Sequence, residues 1–138
     1  MRKGLVISMN GYKKVSPDEL VAEITKTLQE WNAEVDENIA EAANIVSKEL
    51  LNDIKEDSPV GRTGTYKKGW KRKKLKNSYV IHNKNKPGLT HLLEFGHIIR
   101  KTGGRTRAYP HIKRNEKRAN DRMEDLSVAI VSEGLRLK

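Results

Sequence analysis

Ser58-Pro59-Val60-Gly61-Arg62-Thr63-Gly64-Thr65-Tyr66-Lys67-Lys68-Gly69-Trp70 is the stretch on which the fold turns. The residue before a proline avoids helical backbone, so Ser58-Pro59 stops any helix arriving from the N-terminal side. Val60 to Gly64 is turn chemistry. Tyr66 to Leu75 and Tyr79 to Asn83 then read as two strands joined at Lys76-Asn77-Ser78, a basic hairpin.

Upstream of this stop, Ser16-Pro17-Asp18-Glu19 reads as a helix start. Ser16 can cap, Pro17 suits the first helical position, and Glu19 stands where it can reach back to the cap. Leu20, Ile24, Leu28, Trp31, Val35, Ile39, Ala42, Val46, Leu50 and Ile54 follow at spacings of three or four. That pattern predicts an amphipathic helix over 16–57, about 60 Å long at 1.5 Å per residue, with room for a kink near Trp31-Asn32 or Asn38. One small chain cannot cover so long a stripe, so part of it is expected to meet a partner. Residues 1–15 read as an N-terminal segment.

Downstream, Lys84 to Gly88 is a loop, and Leu89 to Phe95 makes one or two helical turns ended by Gly96. Residues 100–108 hold four bases and two glycines and read as a mobile loop. From Pro110, the positions Ile112, Asn115, Ala119, Met123, Leu126, Ala129 and Ile130 describe a second amphipathic helix stopping near Gly134, followed by a four-residue tail. The expected fold is α+β, with a long N-terminal helix and a C-terminal helix packed on a small antiparallel sheet. It forms a single domain over 1–138, divided into segment 1–15, helix 16–57, hairpin and basic loops 58–109 and helix 110–134.

With one Phe among 138 residues and a mean hydropathy of -0.77, the core must come mainly from Leu, Ile and Val. Part of its stability is then expected from neighbouring subunits. The chain has no cysteine, which excludes disulfides and thiolate metal sites and fits a reducing compartment. No apolar run approaches the roughly 20 residues of a membrane span. The start turns polar too soon for a secretory signal, so function without export is expected. Charge is split along the chain: residues 18–57 carry twelve acids and three bases, whereas 58–122 carry three acids and nineteen bases. Such a dipole suits a nucleic-acid face, or an acidic element of one copy docking on a basic element of the next.

Candidate chemistry is sparse. His91 and His97 flank Glu94 but lie six apart across Gly96 rather than four apart as in a helical zinc motif, so Glu94 reads as the partner of a nearby arginine. Nucleophile elbows, phosphate loops and framed carboxylate pairs are missing, the acids of the first helix read as solvated, and neither a catalytic residue nor a cofactor is expected. Lys67, Lys68, Lys71, Arg72, Lys73 and Lys74, together with Tyr66 and Trp70, form a basic strip able to contact phosphates and bases. On a strand, though, Arg72 shares a face with Trp70 while Lys71 and Lys73 take the other. Trp31, Trp70, Glu94 and Phe95 are candidate core or interface anchors.

The helix, the turn Pro59-Val60-Gly61-Arg62-Thr63-Gly64 leading to Gly69-Trp70, then His91-Leu92-Leu93-Glu94-Phe95-Gly96-His97 and Arg107-Ala108-Tyr109-Pro110-His111-Ile112 resemble a known family over residues 36–131. It is that of the head-tail joining proteins of tailed bacteriophages, minor tail or tail completion components named after gene product ten of a lambdoid siphophage. There the turn reads P-V-D-T-G, the middle motif ends in E-F-G-T, and the third reads R-P-F-L. Here Gly61-Arg62 replaces the acid, His97 the threonine and Tyr109 the arginine. The resemblance implies a structural virion protein of the neck that joins head and tail. It would assemble in the host cytoplasm into a ring oligomer, for which a hexamer is one candidate, and meet portal-side or tail-tube proteins, with transient DNA contact and no membrane. On this view Arg100, Lys101, Arg105 and Arg107 form a partner-binding loop. The alternative from the residues alone is a basic, sequence-independent nucleic-acid-binding module.

Overall fold

The computed structural model describes residues 4–8, 11–76 and 78–138. Met1–Lys3, Met9, Asn10 and Asn77, the last in the expected turn of the basic hairpin, lie outside the described residues. The elements run β1 (Gly4–Ser8), β2 (Gly11–Val15), α1 (Pro17–Asp57), α2 (Thr65–Lys68), β3 (Trp70–Lys74), β4 (Tyr79–Asn83), α3 (Leu89–Phe95) and α4 (Lys113–Glu133). This is the expected α+β class, but with two separate two-stranded antiparallel sheets, β1–β2 and β3–β4. Two compact units are present, residues 1–37 and 38–138.

In the first unit β1 and β2 pair from Gly4↔Val15 to Ser8↔Gly11, a hairpin in a segment whose sequence suggested no element. The start of α1 is a reciprocal capping box. Glu19 N–H donates to Ser16 Oγ and Ser16 N–H to Glu19 Oε2, both at 3.2 Å, which satisfies two otherwise orphaned donors. The apolar stripe of this half is wet, with Val21, Ile24, Leu28 and Trp31 all exposed. The helical assignment of α1 is unbroken from Pro17 to Asp57.

In the second unit the later half of the stripe is buried at Ala42, Val46 and Ile54. Helix α4 lies antiparallel to this part of α1, because its ion pairs Arg114–Asp57, Arg118–Asp53 and Arg122–Glu49 climb one helix as they descend the other. These acids, read from sequence as solvated, therefore have partners on α4. Leu126 and Ile130 complete the α4 side of the core. Gly134 ends α4 in the left-handed region at φ 70°, and its N–H donates to the Ala129 carbonyl. Residues 135–138 are not a loose tail. The N–H groups of Leu137 and Lys138 both donate to Asn38 Oδ1, at 2.6 and 3.2 Å.

The strand expected from Tyr66 starts later. Thr65–Lys68 forms a helical turn, and only Trp70–Lys74 is extended. The reason is local: Gly64 sits at φ 70°, turning the chain so that Lys68 N–H reaches the Gly64 carbonyl, and Gly69 leaves room for the buried Asn83 amide. Asn83 Nδ2 in turn donates to the Tyr66 carbonyl at 2.7 Å. Ile54, Tyr66 and Trp70 form the heart of this core, with Leu50, Leu51, Ile81, Leu93 and Ile112 packed around it.

Candidate functional site

The three motif segments that stand apart in sequence converge on one buried polar junction. Ser58 closes α1 by donating from Oγ to the Ile54 carbonyl at 2.5 Å, and the same oxygen accepts Trp70 Nε1–H at 2.7 Å. Trp70 stands edge-on to Tyr66 and to His111, and Tyr66 is edge-on to His111, with centroids 5.6–6.1 Å apart. His111 is completely buried. Its Nδ1 lies 2.5 Å from the Tyr109 carbonyl, an acceptor only, so Nδ1 carries a proton; in the neutral ring Nε2 then accepts from the Tyr66 hydroxyl at 2.6 Å. Burial, and secondarily the Glu94 carboxylate, pushes the Tyr66 phenol up to about 12.

Glu94 does not pair with an arginine as its sequence context suggested. Its buried carboxylate accepts His111 N–H at 3.0 and 3.2 Å and Ile112 N–H at 2.7 Å, the backbone donors that lead into α4. A carboxylate at this position both satisfies orphan donors and meets the positive end of the helix. The centre of the junction is His111, a residue of the third motif whose sequence context carries no chemical signature of its own. The signal for it was the pairing of a charged residue before Phe95-Gly96 with a Tyr-Pro-His ahead of a helix.

His91, Glu94 and His97 are not brought together. His91 stacks on the Phe95 ring, His97 Nδ1 meets Thr106 Oγ1 at 3.0 Å, and Glu94 faces α4. Among the described residues no group of His, Asp and Glu is arranged to hold a metal ion.

The anchors sort into two kinds. Trp70 and Glu94 are buried, whereas Trp31 is 48% and Phe95 62% exposed. Phe95 forms a wall of an open cleft of about 700 Å³ with Pro110 and Lys113 of the α4 start. The loop expected to be mobile is built: Ile98 and Arg105 bridge, Ile99 N–H donates to the Gly104 carbonyl, and Thr106 N–H donates to the His97 carbonyl. Arg105 Nη2 reaches the Phe95 carbonyl at 3.4 Å, and Arg107 lies over the Tyr109 ring at 5.3 Å. Arg100 and Lys101 are exposed at the tip.

The basic strip loses its most versatile member. Arg72 Nη1 donates to the carbonyl and Oδ1 of Asn44 and to Ser47 Oγ at 2.7–3.2 Å, and its guanidinium covers Tyr79 at 4.6 Å. It braces β3 against α1. Lys67 and Lys68 sit on α2, so Lys71, Lys73 and Lys74 alone remain exposed on the strand.

Among the described residues, no helix is long and apolar enough to cross a membrane. Residues 18–96 match the model of the family described as "Bacteriophage HK97-gp10, putative tail-component". No curated protein and no solved structure matches the chain.

Proposed function

The chain belongs to the HK97-gp10-like family of bacteriophage tail components, and from that premise we propose that this structural virion protein acts at the neck. There it joins head and tail as a ring of identical copies, assembled in the host cytoplasm before or as it meets portal-side or tail-tube proteins. The observation that carries the reading is the row Val21, Ile24, Leu28 and Trp31, each about half exposed or more on one helix. A continuous apolar stripe in water marks an interaction surface, and a ring of copies supplies a partner for every stripe. The direct test is gold or nanobody labelling of intact virions, with the mass of the purified protein measured by light scattering. Label at the head-tail junction with a multi-chain species in solution supports the reading. Label confined to the distal tail, or absent from virions, overturns it.

A further inference from the structure

We propose that the exposed stripe of α1 in one copy docks on the Phe95–Ile98–Ile99 surface and the adjoining cleft of the next copy. The contact rests on the ring reading above and specifies which surfaces close it. Two independent properties of the chain match. The donor, residues 17–37, carries seven acids and one base around its apolar row. Glu23, Glu30 and Glu34 recur along one edge of it at spacings of seven and four. The loop of the receptor, residues 97–107, carries Arg100, Lys101, Arg105 and Arg107 and no acid, and the cleft beside it adds Lys113, Arg114 and Lys117 against Glu116, Asp121 and the buried Glu94. Its apolar centre is equally wet, with Phe95 and Ile98 both 62% exposed.

The receptor is preformed, which lowers the ordering cost of binding. The Ile98↔Arg105 bridge and the Thr106 bonds to His97 fix the loop, and Arg105 is tied to the Phe95 carbonyl. The open cleft between Phe95, Pro110 and Lys113 gives an aromatic side chain somewhere to go. Trp31 is the tryptophan available, since Trp70 is buried, and tryptophan is among the residues enriched at interface hot spots. Donor and receptor are different surfaces, so the contact is heterologous and propagates from copy to copy until a ring closes.

The test uses two full-length variants and their mixture, with circular dichroism confirming that each keeps its helix content. Leu28→Asp/Trp31→Asp disables the donor, and Arg105→Glu/Arg107→Glu disables the receptor. In sedimentation velocity, each alone should need roughly tenfold or more higher concentration to associate than the wild type. Mixed, they should form a species of two chains and nothing larger, because one intact donor meets one intact receptor. Adding Glu23→Lys/Glu30→Lys to the receptor variant should restore association. Wild-type-like association of either variant means that the ring closes through other surfaces, which overturns this contact and leaves the neck reading standing. A receptor variant that dimerises normally while the donor variant does not means stripe-to-stripe pairing, and that too overturns it. So does a mixture that stays monomeric.

Discussion

The Glu94 carboxylate accepts the backbone N–H of Ile112 at 2.7 Å, eighteen residues away, and so ties the end of α3 to the start of α4. Replacing Glu94 with Ala leaves this part-buried donor and the buried one of His111 without partners. At about 1–3 kcal/mol for a buried unpaired group, Glu94→Ala should lose about 3 kcal/mol in urea unfolding. Glu94→Gln, which keeps an acceptor oxygen, should lose clearly less. Equal losses would mean that the side chain acts by volume alone.

Ser58 and Trp70 should prove coupled. Ser58→Ala strands the buried indole N–H, and Trp70→Phe removes it while leaving Ser58 bonded to Ile54. Each single change should cost about 1–3 kcal/mol. The double variant should cost less than the sum, by about 1 kcal/mol in a double-mutant cycle. Additivity within error would remove the bond from the account.

Alkali should expose Tyr66. Its folded pKa is raised to about 12 from the ordinary 10.0, so the folded state holds its proton where the unfolded chain releases it. Stability from this group is complete below pH 10 and declines as pH rises through about 12. Tyr66→Phe should flatten that decline in denaturation curves taken from pH 9 to 12. Phenolate absorbance of the wild type should contain a late component near pH 12 that Tyr66→Phe removes.

Gly96 should not tolerate a side chain. It sits at φ 74°, and an added Cβ would come within 2.6 Å of the Thr106 carbonyl oxygen. Gly96→Ala combines left-handed strain with a backbone clash and should cost about 2 kcal/mol or more. Amide exchange should rise in residues 97–106 ahead of the rest of the chain. Unchanged protection there would mean that the loop does not depend on this crossing.

Arg72 should resist conservative exchange. One guanidinium nitrogen serves three acceptors while the plane covers Tyr79. Lysine offers no plane to lay on the ring, so Arg72→Lys should lose about 1 kcal/mol or more in thermal unfolding.

Helical periodicity, capping and proline placement made α1, α3 and α4 legible from sequence, because these are local signals acting within a turn or two. The capping box at Ser16–Glu19 and the left-handed stop at Gly134 formed where the residue types required them. What sequence did not show was decided at a distance. Tyr66 alternates as a strand residue should, yet His111, forty-five residues on, bonds its hydroxyl, and Asn83 takes its carbonyl. Glu94 reads as an arginine partner by charge, but its donors are backbone N–H groups, which no side-chain pattern reveals. The polar loop 97–106 looks free because nothing local announces that Thr106 folds back on His97.

The three ion pairs joining α1 and α4 repeat every four residues on both helices. A ladder with equal rungs settles which way the helices run and which faces meet, but it is nearly blind to slippage. Moving α4 by one turn would re-form two of its three rungs, Arg114 with Asp53 and Arg118 with Glu49. Exposed pairs of this kind contribute at most about 1 kcal/mol each, so charge alone barely distinguishes the two alignments. Asn115 Nδ2, bonded to Asp57, would find Asp53 after the same slip and is as blind as the ions. The vernier mark is Asn38, whose Oδ1 clasps the N–H groups of Leu137 and Lys138 beyond the end of α4. That clasp has no equivalent a turn away, and one asparagine sets the alignment of a helix pair whose ions leave it open.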